Sequence, residues 1–167
     1  MHTGITNKIG MLPKAIVAIF ERIPDSLIGA LGRFSIAAVF WKSGQTKIQG
    51  FSIDIINGDF HMGLPHLSDS ALTLFRDEYR LPLIPPELAA PAAAFAEHFF
   101  AILILVGLAT RFSALALLAM TLIIEIFVYP DAYPLHGVWA TVLLYLMTKG
   151  PGRVSLDHWL AKRYRSS

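Results

Sequence analysis

The 167-residue sequence contains no cysteine. That excludes disulfide staples, thiol redox chemistry and zinc or iron–sulfur centres held by thiolates, and it leaves the redox state of the compartment open. Charge is also scarce: Asp, Glu, Lys and Arg make up 16% of the chain, where a soluble domain carries about 25%. The net charge of +2 calls for no nucleic-acid partner. No Gly-rich phosphate loop, CxxC, HExxH or GxSxG occurs, so no self-contained catalytic motif can be read, and whether the chain is an enzyme stays open. Internal repeats and low-complexity segments are missing as well.

What is present is apolar. Hydrophobic residues make up 54% of the chain and the mean hydropathy is +0.55. A membrane-spanning helix needs about 20 mostly apolar residues, and four stretches qualify as spans: residues 26–45, 89–110, 112–130 and 135–149. Punctuation agrees: Pro24 precedes the first, Pro91 opens the second, Pro130 and Pro134 bracket a turn, and Gly150-Pro151-Gly152 ends the fourth. The joint near Thr110-Arg111 makes the second and third spans antiparallel. The expected fold is therefore all-α: one domain over residues 1–167, an integral membrane four-helix bundle with a long extracytoplasmic loop over 46–88.

Surface-lying helices are expected at both ends. No signal peptide is expected at the N-terminus, where Ile16–Phe20 is short and Pro13 and Lys14 interrupt it; Lys14–Ile23 reads as an amphipathic surface helix. At the other end Ser155 is an N-cap with Asp157 in the first turn. Leu156, Trp159, Leu160 and Tyr164 share one face, and Lys162, Arg163 and Arg165 face headgroups. With four spans, one side holds Lys8, Lys14, Arg22, Arg111, Lys149, Arg153, Lys162, Arg163 and Arg165, and the other holds only Lys42, Lys47, Arg76 and Arg80. The positive-inside rule then places both termini in the cytoplasm of a multi-pass protein of the bacterial-type inner membrane.

The segment 46–88 is too long for a mere connector. Phe51, Ile53, Ile55, Ile56 and Phe60 argue against disorder, and Leu72, Phe75 and Tyr79 at helical spacing predict a short surface helix over Asp69–Tyr79. A Pro-rich return, Leu81–Pro86, completes a lid over the outer mouth or a docking surface for a partner. His61 and His66, five apart with Met62 between, read as ordinary loop residues rather than a metal site.

Ionisable residues within the apolar stretches are the candidate site. Glu97 and His98 lie in 92–109, Glu125 in 112–128 and Arg33 in 26–40. Such groups cost free energy at membrane depth and default to a functional reading, with a register-locking ion pair as the alternative. At 1.5 Å per residue, Arg33 lies roughly 10 Å above the cytoplasmic end, and Glu97, His98 and Glu125 roughly 18–20 Å above it. The four can then meet in one layer, with Arg33 pairing Glu97. Glu125, left without an arginine, is expected to be protonated, with Thr121 accepting its proton and Lys42 a turn or more outward. Tyr145, with Thr141 and Thr148, lines a polar face of the fourth span, and His136 joins Lys42, Thr121 and Tyr145 as a secondary candidate. A cluster that shares a proton can relay it or hydrogen-bond a quinone carbonyl. A haem carried between His98 and His136 is disfavoured, because the two lie about 10 Å or more apart in depth.

Several segments carry a family resemblance. Arg33-Phe34 with Phe40–Ile48 (FWKSGQTKI), Phe75–Tyr79 with Leu81–Pro86, Glu97 followed by Leu105–Arg111, and Gly150–Asp157 (GPGRVSLD) resemble the DoxX family of small four-helix membrane proteins, over about Gly32 to Leu160. The resemblance implies a membrane accessory or subunit linked to quinone-coupled redox assemblies. It equally implies, for the branch resembled, association with small secreted metal-related peptides. Implied partners are the lipid bilayer, a quinone and other membrane or secreted subunits.

Overall fold

The computed structural model describes residue 14 and residues 17–54 and 57–165. The surface helix expected over Lys14–Ile23 lies partly outside these residues; among them, 17–20 are helical and exposed. Pro24, in extended geometry, starts helix α1 (Asp25–Gln45) with Asp25 in its first turn, where a carboxylate complements the helix dipole.

The segment after α1 departs from the all-α expectation. Strands β1 (Ile48–Asp54) and β2 (Asp59–Leu67) pair antiparallel, with Ile53 opposite Phe60 and Ile48 opposite Leu67. Side chains of α1 fasten the hairpin. The indole of Trp41 donates to the Ile53 carbonyl at 3.3 Å, and the Ile53 amide donates to Gln45 Oε1 at 2.9 Å. The long loop is thus a built structure. It continues into α2 (Asp69–Leu74), whose cap Ser68 accepts from the Ala71 amide, and a π-helical turn, Phe75–Tyr79. Together these cover the helix expected over 69–79.

Helix α3 (Pro86–Val106) starts three residues earlier than expected, with Pro86 at the first position, where its missing N–H costs nothing. Pro91 therefore lies inside the helix rather than opening it. Gly107, at φ 72°, ends α3, and the Leu108 amide donates back to the Leu103 carbonyl at 2.9 Å. This C-cap moves the α3–α4 joint to 107–109, ahead of the expected Thr110-Arg111. Helix α4 (Thr110–Phe127), a single 3-10 turn (Pro130–Ala132), α5 (Tyr133–Lys149) and α6 (Leu156–Arg165) complete the chain.

Helix α1 packs on α3 and α5, and α4 packs on the same two. Ile36, Phe40, Ala101, Ile104, Leu117, Leu143 and Leu146 form the core between them. The outside is more apolar than a water-facing surface: Leu31, Phe34, Phe95, Phe112, Ile126 and Val138 are all exposed, while Arg33, Glu97, Thr110, Ser113, Thr121 and His136 are buried. A water-soluble fold would arrange these classes the other way round. Helices α3 and α4 are long and apolar enough to cross a bilayer. The sheet caps one end of the helices, the hairpin end, and α6 the other, the tail end.

Candidate functional site

The buried charges gather at the two ends. At the hairpin end Lys47, just past the end of α1, meets Glu97 from α3. Its ammonium donates to Glu97 Oε1 at 3.0 Å and lies 2.8 Å from Oε2. It also donates to the Ser43 carbonyl and hydroxyl at 3.2 and 3.1 Å, and Ser43 Oγ donates to Glu97 Oε1 at 3.0 Å. Both charged side chains are almost wholly buried, at 6% and 3% exposure. Glu97 Oε2 accepts no aligned hydrogen bond. Beside it, His98 Nδ1 lies 2.7 Å from the Ala94 carbonyl and Nε2 lies 2.8 Å from Gln45 Nε2. Since Gln45 Oε1 already accepts from Ile53, its amide must donate to Nε2, so the proton of His98 sits on Nδ1. Gly44 permits this approach: a Cβ there would collide with the His98 ring.

A second pair lies between α4 and α5. His136 Nδ1 stands 2.6 Å from Glu125 Oε2. His136 is buried among the helices, its ring tilted against Trp139 with centroids 4.9 Å apart, while the Glu125 side chain keeps 23% of its surface exposed on an otherwise apolar face. One turn beyond Glu125, the Tyr129 hydroxyl donates to Glu78 of the π-helical turn at 2.5 Å, and the Tyr79 and Tyr129 rings meet edge-on at 5.7 Å. Burial, and then the Glu78 bond, push the Tyr129 hydroxyl above its ordinary range; burial raises Tyr79 likewise.

At the tail end the charged groups serve backbone. Arg33 donates to the Leu105 carbonyl at 3.0 Å and to the Val154 carbonyl. Asp157 accepts from the Ala109 and Thr110 amides at 2.7 and 2.9 Å, and its own amide donates to the Gly107 carbonyl at 2.8 Å. The tight α3–α4 joint leaves orphan carbonyls at the end of α3 and orphan amides at the start of α4. Arg33 and Asp157 supply the missing partners, each with the sign that suits its helix pole. Ser155 Oγ accepts from the His158 amide at 3.2 Å, the cap expected for α6.

The single polar layer is therefore corrected. Arg33 does not pair with Glu97, because α1 holds Arg33 against the end of α3 while Glu97 faces Lys47. Glu125 joins neither; its partner is His136, and Thr121 Oγ1 instead donates to the Leu117 carbonyl of its own helix at 2.8 Å. Among the secondary candidates, Lys42 is exposed and Tyr145 donates to the Asp25 carbonyl at 3.0 Å; Thr141 and Thr148, expected on the same face as Tyr145, bond back to their own helix. His98, with both nitrogens engaged, has none left to bind a haem iron. The residues missed were Ser43, Gln45 and Lys47, all within the run Trp41–Lys47. A lysine in that run, just past a span, was the available signal.

An apolar exterior around helices that bury Arg, Lys, Glu and His defines a helical membrane protein. The particular family follows from the sequence: the DoxX profile matches residues 29–130, and the chain belongs to the DoxX family. An uncharacterized protein of Haemophilus influenzae is 31% identical over 99 residues, which cover 53% of this chain and 66% of that relative. No solved structure matches the chain.

Proposed function

We propose that the protein is a four-span subunit of the bacterial inner membrane, folded as one domain, that serves a quinone-linked redox assembly and touches the quinone headgroup through Glu125 and His136. Both termini lie in the cytoplasm, and the sheet and α2 lie outside. The observation that carries the reading is the 2.6 Å Glu125–His136 contact, open on one side to an apolar surface. The carboxylate holds the imidazole by Nδ1 and leaves Nε2 without a partner among the described residues. That is the arrangement of a base oriented by a second group, and a quinol hydroxyl or a quinone carbonyl fits it. Lys47 and Glu97 are enclosed and act on the fold beside it. Between the hairpin-end and tail-end charges the core is mainly apolar, with Ile36, Phe40, Ala101, Leu117 and Leu143 beside the buried hydroxyls of Ser113 and Thr121.

Titrating the protein in nanodiscs with a short-tailed benzoquinone tests the reading. Glu125→Gln and His136→Gln should each weaken binding about tenfold, the worth of one hydrogen bond to a charged partner. Unchanged binding in both variants would sink it. Reporter fusions at Ser167 and within Asp59–Ser70 should fall on opposite sides of the membrane. A second reading, a membrane partner for a small secreted peptide, is favoured by β2, where Phe60, Met62 and Leu64 share one exposed face.

A further inference from the structure

The tail end carries a cleft of about 360 Å³ between the start of α1, the end of α5 and the start of α6. Asp25, Ser26, Lys149, Arg153, Asp157 and His158 line it together with the Gly150-Pro151-Gly152 turn. Its two carboxylates are already committed. Asp157 is held by the first amides of α4, and Asp25 sits in the first turn of α1, where the helix pole offsets its charge. The cations are not committed: the Lys149 and Arg153 side chains are exposed and make no hydrogen bond or ion pair among the described residues. Contacts from neighbouring helices tie this turn in place. The Arg153 amide reaches Ser26 Oγ at 3.4 Å, Arg111 donates to the Thr148 carbonyl at 3.3 Å, and Gly150 and Gly152 hold φ near 80°.

Position says what the cleft meets. It opens where the apolar belt ends, next to exposed Leu27, Ile28 and Leu144. Helix α6 flanks it, with Leu156, Trp159 and Tyr164 exposed and Lys162, Arg163 and Arg165 in its last turn. A cation-rimmed hollow at the edge of a lipid-facing surface suits a phosphate ester whose tails lie along that surface. We propose that this cleft binds the phosphate of an anionic lipid headgroup, with Lys149 and Arg153 as its cationic partners. The site is separate from Glu125–His136 and does not depend on the quinone reading.

Native mass spectrometry of the protein extracted with phosphatidylglycerol or phosphatidylcholine provides the test. Wild type should retain phosphatidylglycerol in preference. Lys149→Gln/Arg153→Gln should lower that retention at least about tenfold, since each charged hydrogen bond is worth roughly that factor. Lys162→Gln/Arg165→Gln removes the same charge from α6 and should change it little. Calorimetric titration with inorganic phosphate separates the sources: a lipid site shows no saturation at millimolar phosphate. Saturation that the Lys149/Arg153 variant loses would overturn the lipid assignment in favour of a free-phosphate site. Equal loss in both double variants, or no loss in the first, would overturn the cleft altogether.

Discussion

The two ends of the helices bury charge by different means. At the hairpin end, cation and anion come from side chains 50 residues apart, Lys47 and Glu97, and each is the other's chief partner. At the tail end, Arg33 and Asp157 address backbone carbonyls and amides that the α3–α4 joint leaves open. A side-chain partner can be deleted, leaving a charge stranded in the core. A backbone partner cannot, so deletion there costs bonds and a cap, together with the attraction between Arg33 and Asp157. The comparison teaches that charges of the same sign carry different stakes, set by what they face.

The largest effect should come from Lys47→Met, which strands Glu97. A loss of about 3–5 kcal/mol is expected, measured by thermal unfolding in detergent. Lys47→Met/Glu97→Leu should recover most of it. A double variant as unstable as the single would break the distinction between the two ends.

Asp157→Ala should cost about 1–2 kcal/mol, the range for a lost helix cap. Asp157→Asn, which keeps one acceptor, should cost less. A loss as large as that of Lys47→Met would mean that Asp157 acts chiefly on the buried Arg33 charge rather than on the helix amides.

Glu125→Gln should change stability by less than about 1 kcal/mol, because the group is partly exposed and glutamine can still accept from His136. Its effect should appear in benzoquinone binding instead. A variant that unfolds like Lys47→Met would assign Glu125 to the fold.

The smallest effect concerns the Tyr129–Glu78 contact. The raised Tyr129 hydroxyl means that the folded state holds its proton more tightly than the unfolded chain does. Its contribution is complete below the ordinary tyrosine value of about 10 and is lost as pH rises through the higher folded value. Tyr129→Phe should remove roughly 0.5 kcal/mol at neutral pH and flatten the decline above about pH 10. An unaltered alkaline limb of the stability curve would show that Tyr129 does not titrate with folding.

Much of this was legible beforehand. Four helices lie near the four apolar stretches, and the helix over 69–79 follows from Leu72, Phe75 and Tyr79. The hairpin had its own signal: Asn57-Gly58 after the alternation Phe51, Ser52, Ile53, Asp54, a pattern that favours paired strands. The apolar content of the segment, from which a loop was expected, speaks to order but not to type. The pairings were not legible. Depth along a helix is set by a rise of about 1.5 Å per residue, so Arg33 and Glu97 could be compared in height. Which neighbour a side chain faces depends on helix rotation and packing, and a shift of three residues at the start of α3 changes both.

What the sequence by itself determined is the medium and the main helices: apolar runs of bilayer length, the breaks at Pro24 and Gly150, and membership of the DoxX family. Those rest on local composition and on backbone preference, which each residue carries alone. Only the tertiary structure decided that Glu97 belongs to Lys47, Glu125 to His136, and Arg33 and Asp157 to the ends of α3 and α4. A buried charge takes whichever partner the packing brings within about 3 Å, and that distance is a property of the assembled helices.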